Sequence, residues 1–148
     1  MEKLDYDPDR KWLIEVTEKQ LYDIINCVED IHRFLGGDMH LANATAYIAD
    51  ASDMHEFHRQ IDKLKHLVTP GLDNAAFYGW SGSGCPDKHQ KAIIQRTYAI
   101  YRNLLHCIEK YRQRDDWNVY QRETLTCGVP LAVCYPKEEI KEKGDLKQ

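Results

Sequence analysis

The 148-residue sequence contains no apolar run near the roughly 20 residues that a helix needs to span a bilayer. Its first ten residues carry Asp5, Asp7 and Asp9 and no apolar core of a signal peptide. A soluble, unexported protein is therefore expected, with no membrane partner. Positive charge is also in short supply. A net charge of −4 and a pI near 6.0 exclude a general basic field that wraps duplex nucleic acid, although local basic patches stay open. There is no Cys-x-x-Cys pair. The five cysteines, Cys27, Cys85, Cys107, Cys127 and Cys134, form an odd set without tight spacing and read as reduced thiols in a cytoplasm. Cys27 and Cys107 are expected to be buried on helices as small apolar residues, and Cys85 to pack within a loop rather than act as a nucleophile. No Walker loop, no dinucleotide fingerprint and no internal repeat is present.

What is present fits one domain, residues 1–148, with a modest core: 43% of residues are hydrophobic and 30% charged. The ends, 1–12 and 137–148, are charged and expected to be partly disordered. Thr17-Glu-Lys-Gln20 is a capping box, flanked by Val16 and Leu21 in hydrophobic-staple positions. From there Leu21, Ile24, Ile25, Val28, Ile31 and Leu35 keep the helical period until Gly36-Gly37 stops it. Residues 38–51 fit a short helix or an ordered loop. A second substantial helix is expected over about 53–68, from the box Asp53-Met-His-Glu56 to Pro70-Gly71. Asp87-Lys-His-Gln90 caps the longest helix, about 87–114. Its apolar stripe, Ile93, Thr97, Ile100, Leu104, Cys107, Ile108 and Tyr111, widens through Ile94, Tyr101 and Leu105. An arc that wide suggests burial against the first helix and a second subunit. Val119-Tyr120, Glu123 to Cys127 and Leu131 to Tyr135 are β-prone, with Pro130 ruling out a central strand. The expected fold is mainly α: a three-to-four-helix bundle with a long glycine/aromatic loop and a small C-terminal β-hairpin or extended strap.

Two acid- or histidine-bearing clusters invite a metal. Glu29/Asp30 resembles half of a magnesium site of helical nucleotide pyrophosphohydrolases, but the second acidic pair on a facing helix is missing. His55 and His58, beside Glu56 and Asp62, have metal-compatible spacing but no matching Cys/His pair elsewhere. A solvated helix face accounts for the first cluster and surface histidines for the second, so neither a cofactor nor a catalytic residue is expected.

The stretch Tyr78-Gly-Trp-Ser-Gly-Ser-Gly-Cys-Pro86 holds more chemistry. Gly79, Gly82 and Gly84 free the backbone to present N–H groups, and a helix N-terminus follows at once, a junction that favours an anion. The aromatic residues of the Pro70 to Pro86 connector are expected to pack it down. On the helix, Lys91, Tyr98, Arg102 and His106 share a strip rising from the loop, with Lys88 at its base. Arg102 and Lys91 suit phosphate, and Tyr78, Trp80, Tyr98 or Tyr101 suit stacking on a base. The candidate ligand-binding set is thus Tyr78, Gly79, Trp80, Gly82, Gly84, Lys88, Lys91, Tyr98, Arg102 and His106. A solvated flank whose Arg and Tyr cover apolar surface is the plainer alternative.

The chain also resembles a family of small proteins encoded by bacteriophages and prophages. The resemblance rests on Val16-Thr-Glu-Lys-Gln-Leu21, Val28-Glu-Asp-Ile-His-Arg-Phe-Leu35 and Phe77-Tyr-Gly-Trp80 leading to Cys85-Pro86. It continues through Tyr98-Ala-Ile-Tyr-Arg102, Asn118-Val-Tyr120, Thr124-Leu-Thr-Cys127 and Pro130-Leu131, and covers roughly residues 13–134. It implies a phage accessory protein acting in the host cytoplasm and supplies no catalytic residues. By analogy with small helical phage proteins that sequester nucleotide messengers, the expectation is a non-enzymatic homo-oligomer. Its ligand would be a phosphate-containing cyclic nucleotide or ADP-ribose-derived immune signal. The alternatives are a protein-directed inhibitor of a host defence factor and a metal-dependent nucleotide hydrolase.

Overall fold

In a computed structural model, residues 6–48, 50–112, 120 and 132–136 are described. The capping box forms in both directions: Thr17 Oγ1 accepts from the Gln20 N–H at 3.2 Å, and the Gln20 side chain accepts from the Thr17 N–H at 2.9 Å. Helix α1, Glu18–Gly36, starts there. It ends in a Schellman closure in which Asp38 N–H reaches Arg33 O and Gly37 N–H reaches Phe34 O. Gly37 has φ 104°, and a Cβ there would sit 3.1 Å from Leu72 Cδ1, so glycine is required twice over.

The longest helix, α5, Lys88–Tyr111, begins where Asp87 Oδ1 accepts from the Gln90 N–H at 2.7 Å. The two long helices run antiparallel. Arg112 pairs with Glu18 at one end, and the Gln90 amide donates to Leu35 O at the other. Between these ties lies the main core, Ile25, Tyr98, Tyr101, Leu104, Leu105 and Ile108, with Leu21, Tyr22 and Val28 packed against it. Full burial of a side chain such as Ile25 contributes about 2 kcal/mol. A smaller cluster, Tyr78, Cys85 and Ile94, sits under the glycine loop.

Between the long helices the chain makes α2, Ala42–Thr45, α3, Ala51–Asp62, and α4, Lys65–Val68. The helix expected over 53–68 is thus two helices. Its cap is Asp50, whose carboxylate accepts from Ser52 N–H at 2.7 Å. At the break, Lys63 and Leu64 bond three residues back instead of four. Helix α3 has no fully buried residue, and Leu64 and Leu67 are exposed. Two further expectations are corrected. Cys27 is exposed on α1, and of the connector's aromatic residues only Tyr78 is packed down, Phe77 and Trp80 being more than half exposed.

Among the described residues the fold is mainly helical, with five helices and no strand. Residues 132–136 lie along α5 without regular structure. The Asn103 amide donates to Ala132 O, and Cys134 Sγ–H points at Leu104 O. The rest of the expected hairpin or strap lies outside the described residues, as do both charged ends apart from residues 6–12.

Candidate functional site

At the C-terminal end of α1 a cavity of about 420 Å³ opens between the helix pair and the loop that precedes α5. This is within the roughly 300–1,000 Å³ of small-molecule sites. Helix α1 offers it Glu29, His32, Arg33 and Gly36, which the 3.6-residue repeat places on one face. Tyr101 and Arg102 come from α5, Lys65 from α4, and the 74–80 loop adds Asn74 to Phe77 with Gly79 and Trp80. Tyr120 forms a further wall.

The loop is fixed by its own chemistry. Asp73 Oδ1 accepts from the Ala75 and Ala76 N–H groups, Tyr78 N–H donates to Gly36 O at 2.8 Å, and the Tyr78 hydroxyl donates to Pro70 O. Lys65 closes the arrangement. It is 2% exposed, and its ammonium donates to the carbonyls of Asn74 and Ala76. Among the described residues those are its partners, and none is a carboxylate. Arg33, by contrast, is tied to Glu29 at 2.8 Å and to Asp38 at 3.4 Å. The Arg102 guanidinium lies 4.8 Å from the centre of the Tyr120 ring, whose backbone carbonyl accepts from His106 Nδ1–H at 2.7 Å. Three cations, Arg33, Lys65 and Arg102, and two carboxylates, Glu29 and Asp38, therefore line the cavity.

His32 and Tyr101 supply neutral polar groups. The His32 ring is 5% exposed, 5.4 Å from both the Tyr98 and the Tyr101 ring. Its Nδ1 lies 3.0 Å from Ile94 O and must carry the proton, because a carbonyl only accepts. Burial, outweighing that hydrogen bond, holds its pKa below the ordinary histidine value, so the ring is neutral. Burial first, and then the Glu29 charge, push the Tyr101 phenol well above its usual range and keep its proton on.

Of the residues selected from sequence, Gly79, Trp80 and Arg102 meet in this cavity. The others lie outside its lining. Tyr98 is 2% exposed in the core, and Tyr78 and Gly82 are buried beside Ile94. Gly84 and Lys88 are exposed, Lys91 is half-buried, and His106 braces Tyr120. The N-terminus of α5 is occupied by its own Asp87 carboxylate and does not face the cavity.

Lys65, His32 and Arg33 were missed as ligand residues in the sequence. The available signal was position. Lys65 follows Phe57 by eight and Ile61 by four, and His32 follows Ile25 by seven and Val28 by four, so each lies on an apolar stripe.

The first metal-like cluster does not sit on the solvated face expected of it, Asp30 being 5% exposed and the Glu29 side chain 13%. Asp30 accepts from the N–H groups of Asn43 and Ala44 and so caps α2, while Glu29 holds Arg33. His58 stacks on His40 with ring centres 4.1 Å apart, and His40 Nε2 is 3.1 Å from Asp62. Among the described residues no group of three or more His, Cys, Asp or Glu could hold a metal ion, and none of the helices is long and apolar enough to cross a membrane. Comparison of the chain with known protein families, with characterised proteins and with solved structures finds no match.

Proposed function

We propose that the cavity captures a phosphate-bearing small molecule, a cyclic nucleotide or ADP-ribose-derived signal of bacterial antiviral defence. In this reading the protein is a phage accessory protein that sequesters the signal in the host cytoplasm without turning it over. One observation carries the reading: Lys65 holds a buried ammonium at the cavity wall against two carbonyl dipoles and, among the described residues, no carboxylate. Removing a charge from water costs several kcal/mol unless an opposite charge repays it, and an anion in the cavity would do so. Arg102 and Arg33 add donors suited to phosphate oxygens, and Trp80, exposed at the rim, offers a face for a base.

Calorimetric titration of ADP-ribose tests this. Wild-type protein binds it, and Lys65→Met, checked for an unchanged helical circular-dichroism spectrum, binds about 10–100-fold more weakly, the loss of one charge-assisted contact. Equal affinity in the two proteins would remove the basis of the reading.

A second reading, an inhibitor directed at a host protein, is favoured by a separate observation. Trp12, Leu13 and Ile14 are 71%, 86% and 68% exposed in sequence, an apolar row suited to protein contact. The same row supports a homo-oligomer in the capture reading.

A further inference from the structure

Resting on the phosphate reading above, we infer that His32 and Tyr101 together read a hydroxyl group. The captured molecule is then a sugar phosphate ester of the ribonucleotide class, and not a bare polyphosphate.

Both residues line the cavity and both are almost wholly buried, at 5% and 6% exposure. His32 spends Nδ1–H on Ile94 O, which leaves Nε2 as a lone pair. That nitrogen has no hydrogen bond among the described residues, and it is not among the buried nitrogens sealed from solvent. His32 is one of the residues that line the cavity. The Tyr101 hydroxyl likewise has no hydrogen bond among the described residues and is not among the atoms sealed from solvent.

The cavity thus presents one obligate acceptor beside one protonated phenol, their rings 5.4 Å apart. A fully ionised phosphate has acceptors only and leaves the His32 lone pair facing a lone pair. An alcohol carries one donor and two acceptor sites, so a single hydroxyl can give its proton to His32 Nε2 and accept from Tyr101 O–H. Lys65 and Arg102, on other elements, line the same cavity and bring positive charge to the phosphate. The neutral ring cannot exchange its role for that of a donor without surrendering Ile94 O, one of the ties between α1 and α5. A donor could also come from a base N–H, and the choice of probes separates the two sources.

Dissociation constants would be measured for pyrophosphate, ribose 5-phosphate, adenosine monophosphate and its 2′,3′-dideoxy analogue. The ribose-bearing pair should bind at least about tenfold more tightly than the dideoxy analogue and pyrophosphate. In Tyr101→Phe, which removes one oxygen and no packing, that preference should shrink to about threefold or less. Adenosine monophosphate and its dideoxy analogue binding equally, with ribose 5-phosphate weak, would show the donor to be a base N–H and overturn the inference. A preference unchanged in Tyr101→Phe would also overturn it. Equal binding of all four probes would overturn the hydroxyl reading alone, whereas no binding of any would remove the phosphate reading as well.

Discussion

Single residues in this protein do unlike work from their sequence neighbours. Lys63 is exposed and pairs with Gln60, while Lys65, two positions on, is sealed against the loop. His32 provides a titratable test of the same burial. Its folded pKa is lowered, chiefly by desolvation, from an ordinary 6.5. Above pH 6.5 the ring is neutral in both states and its contribution to stability is complete. As the pH falls through 6.5 the unfolded chain takes up a proton that the folded ring refuses, and stability declines until the folded ring titrates too. The slope from this one group is at most about 1.4 kcal/mol per pH unit. Urea denaturation from pH 8 to pH 5 should show this slope in wild type and a shallower one in His32→Phe. The variant loses the Ile94 hydrogen bond and is less stable throughout, so the slope is the readout. Equal slopes would mean that His32 titrates alike in both states.

At the scale of elements, the two long helices were legible because local and global signals agree. The Thr17 box, the glycine stop at 36–37 and the Asp87 cap each act within a few residues, and the apolar stripes they bracket meet each other across the core. The division of α3 from α4 was not legible, since no Gly or Pro marks residues 63–64, where the backbone bonds three residues back just before the buried Lys65. The glycine loop was legible as special, but its role differs along its length. Gly79 borders the cavity, whereas Gly82 presses on the core. At Gly82, φ is 65° and an added Cβ would lie 2.8 Å from Ile94 Cγ2, while at Gly79, φ is 79° with open space around it. Gly82→Ala should therefore cost about 2–4 kcal/mol, backbone strain plus overpacking. Gly79→Ala should cost about 1–2 kcal/mol, from strain alone. Urea denaturation midpoints of the two variants check this ordering, and equal losses would show that the contact with Ile94 carries no weight.

For the whole molecule, a chain of net charge −4 concentrates three cations around one cavity. The amphipathic pattern makes that arrangement possible by burying one face of each long helix. It could not reveal the cavity, which depends on where Lys65 and the 74–80 loop meet helices distant in sequence. The candidate strip on α5 was half legible for the same reason. Arg102 reaches the cavity from one flank of the helix, while Tyr98, one turn earlier, turns into the core against His32.

The proposed capture without turnover concerns the intact protein, and one measurement addresses it most directly. The protein would be incubated with cyclic di- and trinucleotides and cyclic ADP-ribose products, its melting temperature recorded, and the small molecule recovered after heat denaturation. Ligand at about 100 times its dissociation constant adds about 2.7 kcal/mol, which for a domain of this size raises the melting temperature by roughly 5–10 °C. The expected result is such a rise with at least one member of the panel and recovery of that molecule chemically unchanged. No shift with any member, or recovery of an altered product, would contradict capture.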